Sequence, residues 1–433
     1  RKDASPAVVG ATVQRRALRG VLVPFHGDYV SNRYRRRADG VLANTNLPDV
    51  WVRIITLGGG AFILAFVPLT AMFFLIWYER KIVARIGDRL GPNNTTPGAY
   101  GGPWGLLQVP ADAIKMFTKE DVIPTLANRW IFNLAPMVFL AVAVLTWAVI
   151  PLGDGIIGSD LSIGIFYILS IGSAGLISIL MAGWGSNNKY ALLGAVRGIA
   201  TLISYEIPQV LSVTVVVMVA GSFSLVDIVE SQDVVFLIAM PLTALLFFFS
   251  ILSELGRRPF DMVEADSEIV AGYFIEYSGM KFGMFYLAEF MNQLMVSVLF
   301  STLFLGGWRG PFVDQVPVLG TVWLVVKVLV VMLVIQFFQY SLPRLRIDQV
   351  LAVNWKFLTP LALVNICVIA LVGKAVPRDP ANPWTQTGAF LLANVVMVLV
   401  VLAILTVADR QARQRQEARI AARLGLEEEA TPA

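Results

Sequence analysis

Seven carboxylate residues lie within or between two apolar runs that are each long enough to cross a membrane. They are Glu254, Asp261, Glu264, Asp266, Glu268, Glu276 and Glu289, and the last lies inside the second run. A charged side chain near the centre of a bilayer costs about 2.5–3.5 kcal/mol on membrane-insertion scales. The cluster therefore indicates proton handling, or a seat for a charged partner, more than it indicates packing.

Within this acidic stretch, Asp261, Glu264 and Glu268 are three and four residues apart. On a helix this spacing places the three carboxylates on one face, where like charges repel. Repulsion and shielding from water both favour the protonated form, so the three groups would exchange protons as a coupled set. The alternative is a solvated loop whose acids pair with Arg257 and Arg258, and the spacing favours neither interpretation.

Ionisable side chains also interrupt the apolar runs themselves. Glu206 opens the run IPQVLSVTVVVMV, Glu289 lies inside its run with Asn292 close by, and Lys327 lies inside TVWLVVKVLVVMLVIQFF. A single residue of this kind can belong to a structural pair. Three of them in one bundle predict a polar path through the membrane-spanning helices.

The elements that must hold these residues are apolar runs of about 20 residues, the length that crosses roughly 30 Å of hydrocarbon. Nine such runs lie near 54–77, 131–150, 163–183, 201–220, 235–253, 282–305, 318–340, 357–373 and 389–408. The 433 residues are 57% hydrophobic and 15% charged, a balance that soluble proteins seldom reach. We predict an all-α, polytopic transmembrane bundle with an eight-helix core and a ninth, C-terminal helix.

Residues 103–119 differ from these runs because they are too short and too polar to span. Apolar residues fall on one helical stripe and charged residues fall opposite: Leu107, Ala111, Ile114 and Phe117 against Asp112, Lys115 and Lys119. This pattern predicts an amphipathic helix that lies in the membrane interface. The alternative is a loop helix that packs on soluble subunits.

The loops and termini suggest orientation and domain boundaries. Lysine and arginine are concentrated in alternate loops, which predicts that the acidic loops and the C-terminal tail face the cytoplasm. We expect a basic N-terminal extension (1–53), the eight-helix core (54–373), and a linker, additional helix and Arg-rich tail (374–433). The extension breaks the charge pattern, and three interpretations stay open: a segment that folds on a neighbour, a targeting segment, or residues upstream of the natural start.

The chain has a single cysteine, Cys367, and a single histidine, His26. Iron–sulfur clusters need several thiolates, haem usually needs an axial histidine, and zinc sites draw on both residue types. No glycine-rich phosphate loop is present either. We therefore expect no metal, flavin, haem or iron–sulfur ligands in this chain, and any redox centre would belong to a partner or a diffusible ligand.

Taken in order, several motifs resemble those of a family of respiratory complex I membrane proteins, called the H subunit in bacteria. The matching stretches are YERK (78–81), GPN (91–93), GLLQVPADAIKMFTKE (105–120), SNNKYALLG (186–194), SYEIP (204–208), PFD (259–261), EADSE (264–268), EYSG (276–279), AEFMN (288–292) and PRLRIDQ (343–349). They follow the family's order and spacing over about residues 54–373. The resemblance implies a protein at the junction between the membrane arm and the peripheral arm, with a quinone chamber that opens toward the lipid.

The resemblance also implies roles for individual residues. Six would belong to the quinone chamber: Glu79, Arg80, Asp112, Lys115, Arg257 and Phe260. Nine would belong to the proton path: Glu206, Glu254, Asp261, Glu264, Asp266, Glu268, Glu276, Glu289 and Lys327. Two departures from the family are Arg258, an added basic group, and Gln339, which stands where an arginine is usual.

The implied function is that of a membrane subunit of a proton-translocating NADH–quinone oxidoreductase, an enzyme only as part of the complex. Quinone would be the substrate, and the subunit would help to couple its reduction to proton translocation. The implied partners are the peripheral-arm iron–sulfur and quinone-site subunits, small membrane subunits, antiporter-like subunits and membrane lipid, with no nucleic acid. The implied location is the bacterial cell (inner) membrane. Two alternatives stay open: a related membrane-bound hydrogenase or ferredoxin-linked complex, and a stand-alone secondary transporter.

Overall fold

A computed structural model of the chain describes residues 49–93, 105–153, 156–262, 271–313, 315–316, 318–376 and 383–424. The chain divides into two compact units, residues 1–63 and residues 64–433, and the candidate site lies entirely in the second. The predicted basic extension falls almost wholly outside the described residues. The predicted domain boundaries therefore stay predictions.

The described residues are dominated by α-helices, which we number in chain order. They are α1 (Asp49–Ile86), α2 (Gln108–Thr118), α3 (Arg129–Leu145), α4 (Gly164–Gly185), α5 (Lys189–Ala220), α6 (Leu225–Ser231), α7 (Phe236–Ala239), α8 (Pro241–Glu254), α9 (Gly279–Phe304), α10 (Val318–Ser341), α11 (Ile347–Val353), α12 (Thr359–Ala375) and α13 (Pro383–Leu424). Among the described residues the only β-pairing is an isolated bridge between Gly153 and Ile156. The predicted all-α class is confirmed.

Within the described residues, eight helices are long and apolar enough to cross a membrane. They are Gly58–Ile86, Arg129–Val149, Gly164–Gly185, Lys189–Ala220, Gly279–Phe304, Val318–Ser341, Ile347–Ala375 and Trp384–Gln411. The predicted amphipathic helix is present as α2 and is 11 residues long. The prediction of a polytopic helix bundle is therefore confirmed.

The remaining apolar run, 235–253, differs from the single helix that we expected. The structure divides it into α7 and α8, because Met240 leaves helical geometry (φ −135°, ψ 63°). Pro241 then opens α8, where its missing N–H and fixed φ suit the first turn of a helix. The run is thus one interrupted span, and α8 alone covers 14 residues.

The centre of the bundle is α9. In its membrane-length window 83% of residues are buried, against 17% in the window of α13. Side chains of α9 such as Met295 and Leu303 pack against α8 and α10 in one large hydrophobic core. Many large apolar side chains of the other spans remain exposed, as expected for surfaces that face lipid.

Small residues bring neighbouring elements close together where the site is built. A Cβ atom on Gly183 of α4 would lie 2.4 Å from Cβ of Ala195 in α5, so only glycine fits this crossing. A Cβ atom on Gly194 would lie 2.7 Å from Cα of Gly272. Membrane helices associate through such small residues, because lipid provides little hydrophobic drive between them. The contacts fix α5, which carries Glu206, against both neighbours.

Candidate functional site

The end of α1 carries three consecutive charged residues whose side chains leave the helix about 100° apart. Glu79 turns inward and is only 5% exposed. Its Oε1 accepts a hydrogen bond from the Tyr340 hydroxyl at 2.9 Å. Tyr340 in turn accepts from Nε2 of Gln339 at 3.2 Å, so the residue that replaces the family's usual arginine joins this network as a neutral amide.

Arg80 turns toward α2 instead. Its Nη1 donates to Oδ2 of Asp112 at 2.5 Å, which ties the end of α1 to the amphipathic helix. The other carboxylate oxygen of Asp112 accepts from Nε2 of Gln108 at 3.2 Å and lies 3.8 Å from Nζ of Lys115. The structure therefore brings together three of the residues predicted for the quinone chamber.

Lys81 takes the third direction, toward the turn that follows α1. Its Nζ donates to the backbone oxygens of Leu90 and Pro92, at 3.3 and 3.0 Å, and to Oδ1 of Asn93 at 2.6 Å. Gly91 in this turn has φ +70°, a conformation that glycine adopts without strain. The YERK and GPN motifs thus form one unit, in which a single cation holds the turn.

The apolar stripe predicted for α2 is largely open. Ile114 and Phe117 are 64% and 69% exposed, whereas Val109 is buried. On its inner side α2 meets α9, where Met116 lies against Gly283. An exposed apolar face beside a charged one suits either a lipid interface or a partner protein, so both interpretations of this helix stay open.

Arg257 lies near the Glu79 network, and Phe260 follows Arg257 by three residues. The guanidinium of Arg257 stands 5.5 Å from the ring centroid of Phe290 on α9, within the range of a cation–π interaction. Its charge also acts on Tyr340. Phe260 is 4% exposed and belongs to the main hydrophobic core.

Asp261 forms an ion pair that spacing along the chain does not reveal. Its Oδ2 accepts from Nη2 of Arg344 at 2.5 Å, and the carboxylate side chain is 12% exposed. A backbone bond from Leu345 N to the oxygen of Pro259, at 3.0 Å, joins the same two segments. The PFD and PRLRIDQ motifs are therefore in direct contact. Glu264, Asp266 and Glu268 lie outside the described residues, and their roles stay predictions.

Glu206 and Glu254 line one cavity of about 140 Å³ within the bundle, with Gln209, Tyr205 and Asn292. Nε2 of Gln209 donates to Oε2 of Glu254 at 2.7 Å, and Asn292 also hydrogen-bonds to this carboxyl group. Gln209 follows Glu206 by three residues, so both side chains lie on one face of α5. A cavity of this volume with several polar groups admits several water molecules.

Glu276 and Glu289 are held by neutral donors. Nδ2 of Asn188 donates to Oε1 of Glu276 at 2.7 Å, and the hydroxyl of Tyr273 donates to Oε1 of Glu289 at 3.1 Å. Nearby, the hydroxyl of Tyr277 donates to a backbone oxygen at 3.1 Å. Burial raises the pKa of Tyr277, so this hydroxyl acts as a neutral donor and not as a proton carrier.

Among the carboxylates that the structure describes, none is an ion-pair or hydrogen-bond partner of Lys327. Its Nζ donates to the backbone oxygens of Leu305, Gly307 and Arg309 at 2.7, 2.9 and 2.7 Å. These oxygens lie just after the C-terminus of α9, where the helix dipole favours a cation. The geometry favours an anchoring function, and the predicted role in the proton path stays untested.

Comparisons with known proteins identify the family of the chain. A family model described as NADH dehydrogenase matches residues 60–370. The chain belongs to this family. The H subunit of an NADH-quinone oxidoreductase from Dehalococcoides mccartyi (strain CBDB1) is 47% identical over 324 residues, 75% of this chain and 88% of that protein.

More distant relatives of the NADH dehydrogenase family match a similar portion. An NADH-quinone oxidoreductase H subunit of Syntrophobacter fumaroxidans, the one numbered 2, is 45% identical over 305 residues, 68% of this chain and 89% of that protein. The corresponding H subunit of Thermomicrobium roseum is 40% identical over 342 residues, 74% of this chain and 97% of that protein. The family model ends at residue 370, so α13 lies beyond the matched part.

The sequence did not lead us to predict two polar residues of the site, Gln209 and Tyr340. Position in the sequence could have indicated both residues: Gln209 is one helical turn from Glu206, and Tyr340 follows Gln339 directly. Neutral groups do not stand out by charge, although they hold the carboxylates. Among the described residues, no group of three or more His, Cys, Asp or Glu side chains is placed to hold a metal ion.

Proposed function

We propose that this chain is the membrane subunit of a proton-translocating NADH–quinone oxidoreductase, where it forms part of the quinone chamber and couples quinone reduction to proton movement. The observation that carries the proposal is the shared cavity of Glu206 and Glu254 inside the membrane-spanning bundle of a family member. Its relatives carry the name of this complex. The chain has no activity of its own in this proposal, since electrons from NADH arrive through partner subunits.

The chamber wall in this proposal is built where α1, α2 and α10 present polar groups. Tyr340 and Glu79 form one hydrogen-bonded pair, and Arg80 and Asp112 form another. Quinone oxygens accept hydrogen bonds and quinol hydroxyls donate them, so hydroxyl, guanidinium and carboxylate groups suit both oxidation states. The exposed apolar face of α2 provides a surface over which an isoprenoid tail can enter from lipid.

The proton path in this proposal uses the Glu206–Glu254 cavity. Reduction of a quinone to a quinol takes up two electrons and two protons, so negative charge appears transiently near the chamber. Two carboxyl groups that line one cavity repel each other when both are charged, so a charge that appears nearby is proposed to act on the pair. Asp261, Glu276 and Glu289 are proposed to connect the chamber to this cavity.

The proposed orientation follows from the charge pattern of the loops, and the proposed partners follow from the family of the chain. The acidic loops and the C-terminal tail would face the cytoplasm, where the iron–sulfur and quinone-site subunits of the peripheral arm dock. Small membrane subunits and antiporter-like subunits would lie beside the bundle. The membrane is proposed to be the bacterial cell membrane.

The test is the replacement of Glu206 or Glu254 by glutamine in the assembled complex, with Glu230→Gln as the matched control because Glu230 is an exposed acid. We expect both cavity variants to lose most quinone-linked electron transfer and proton pumping. Electron transfer from NADH to ferricyanide, which needs only the peripheral arm, should persist. Normal quinone reduction and normal pumping in both cavity variants would refute the proposed role of the cavity.

A further inference from the structure

The C-terminal helix α13 lies beyond the family match, yet it is fastened to the core by a narrow stripe. Phe390, Asn394 and Met397 are 3%, 0% and 8% exposed, at a spacing of four and three residues. Residues on the other faces are open, with Leu392 and Leu399 at 67% and 60% exposed. One polar side chain therefore sits at the centre of an otherwise apolar contact.

Asn394 supplies a hydrogen-bond acceptor to a backbone N–H group at the break between α7 and α8. Its Oδ1 accepts from the N–H of Leu242 at 3.2 Å, while its Nδ2 donates to the oxygen of Phe390 at 2.9 Å. The first N–H groups of a helix have no partner within that helix. Met240, at the N-cap position, provides no side-chain bond, and Pro241 has no N–H. Asn394 thus acts as an N-cap delivered from another helix.

The surroundings of this bond are apolar. Leu242, Leu246, Leu358, Ala362 and Met397 form one buried cluster around it. Water does not replace a lost partner easily in such a place, so an uncapped N–H would stay unpaired. The position of the N-terminal turn of α8 consequently depends on α13.

Helix α8 ends at Glu254, which lies 12 residues and about 18 Å from Leu242. At that end Gln209 holds the carboxylate, which also faces Glu206 and Tyr205 of α5 and Asn292 of α9. A helix transmits an axial shift or rotation along its length, because its hydrogen bonds keep its rise and twist fixed.

A second buried amide supports the N-terminal end of α8, the end that Asn394 caps. Nδ2 of Asn365, on α12, donates to Oγ1 of Thr243 at 2.8 Å, and both residues are buried. The turn after Pro241 is therefore held by side chains from two different helices, and α13 supplies the bond to the backbone itself.

We propose that Asn394 is a positioning residue for Glu254: by capping α8 at the break in its span, the C-terminal helix sets where the carboxylate stands in its cavity. This inference rests on the proposed function of that cavity. It makes α13 a working part of the proton path and not only an anchor in the lipid.

The test compares variants in the assembled complex, with the pH profile of NADH–quinone reductase activity as the main readout. Asn394→Leu removes the acceptor at similar volume, Asn394→Asp retains an acceptor oxygen, and Leu399→Ala is the control on the exposed face of the same helix. We expect Asn394→Leu to lower the rate by a factor of about 3 to 10, the effect of one lost buried hydrogen bond. Its pH profile should shift by about half a unit or more. Asn394→Asp should restore the parent profile, and Leu399→Ala should leave it unchanged.

An unchanged pH profile in assembled Asn394→Leu complexes overturns the inference, as does an equal shift in Leu399→Ala. If Asn394→Leu prevents assembly, Asn394→Ser is used instead, because its shorter side chain withdraws the acceptor with less disturbance. An unshifted pH profile in Asn394→Ser also overturns the inference. Glu254→Gln is measured in parallel. Normal turnover and pumping in both Glu254→Gln and Glu206→Gln would refute the proposed role of the cavity, whereas impaired Glu254→Gln with an unshifted Asn394→Leu refutes only the role of Asn394.

Discussion

Lys327 offers a direct test of what a charged residue does inside an apolar run. Its ammonium group donates to three backbone oxygens, those of Leu305, Gly307 and Arg309, just beyond the end of α9. The predicted proton path requires Lys327 to exchange a proton. The contacts instead suggest that the ammonium group holds the loop in place, and the two roles respond differently to substitution.

The size of the anchoring effect follows from the three contacts. A hydrogen bond from a charged donor contributes about 1.5–3 kcal/mol when it is well shielded. Lys327 is half-buried, so water competes for its ammonium group and each bond should contribute about 1 kcal/mol or less. Loss of the set should destabilise the loop by about 2 kcal/mol, a factor of about 30 in the equilibrium between its ordered and opened forms.

The assay is hydrogen exchange of residues 305–309 in the purified complex, read together with proton pumping in vesicles. Lys327→Met removes the donors and should raise the exchange of this loop by about the same factor of 30, because exchange follows the opening equilibrium. Lys327→Arg keeps a donor group that stays charged at all relevant pH values. It should leave both loop protection and pumping close to those of the parent.

The matched control is Lys374→Met, which removes an exposed lysine near the end of α12. It should alter neither loop exchange nor pumping. Anchoring is refuted if Lys327→Met exchanges at the parent rate. A different result, normal protection but lost pumping in Lys327→Arg, would show that Lys327 must release its proton and would restore it to the proton path.

Two further predictions concern buried carboxylates near the chamber. Tyr340→Phe removes the hydroxyl that donates to Glu79, which costs about 1–3 kcal/mol for a buried acceptor. We expect a higher KM for quinone in steady-state assays. An unchanged KM would contradict the assignment of Glu79 to the chamber. Arg344→Gln leaves the buried carboxylate of Asp261 without its ion-pair partner, at a cost of about 3–5 kcal/mol, so the yield of assembled complex should fall. Adding Asp261→Asn should recover much of that yield and the exposed control Arg346→Gln should not lower it; a double variant no better than the single one would argue against the pair.

The sequence predicted the bundle well because the lipid environment imposes a simple length and composition on each span. The prediction was wrong near Met240, because the apolar run 235–253 was expected to form one helix and instead forms α7 and α8. The proline that follows was a usable sign, since proline is common at the first position of a helix. A count of apolar residues takes no account of backbone geometry.

The candidate site was predictable in its charges but not in its partners. Glu206 and Glu254 stood out because acids are costly in apolar runs, and the structure places both at one cavity. The partner of Asp261 was not predictable, because Arg344 lies 83 residues away and no spacing rule links two loops at that distance. The alternative pairing of the loop acids with Arg257 and Arg258 followed from proximity in sequence alone.

Polar groups in this bundle fall into two classes according to what they contact. Lys327 and Asn394 contact backbone oxygens and N–H groups at helix ends, which lack partners inside a membrane unless a side chain supplies them. Glu206 and Glu254 share their cavity, and Glu254 is bonded by side-chain amides. Backbone groups do not titrate near neutral pH, so contacts of the first kind favour fixing a position, and the Lys327 variants test whether that side chain also carries a proton. Burial within an apolar run alone therefore does not identify a proton carrier, and the proposal for Glu206 and Glu254 depends on their shared cavity rather than on burial.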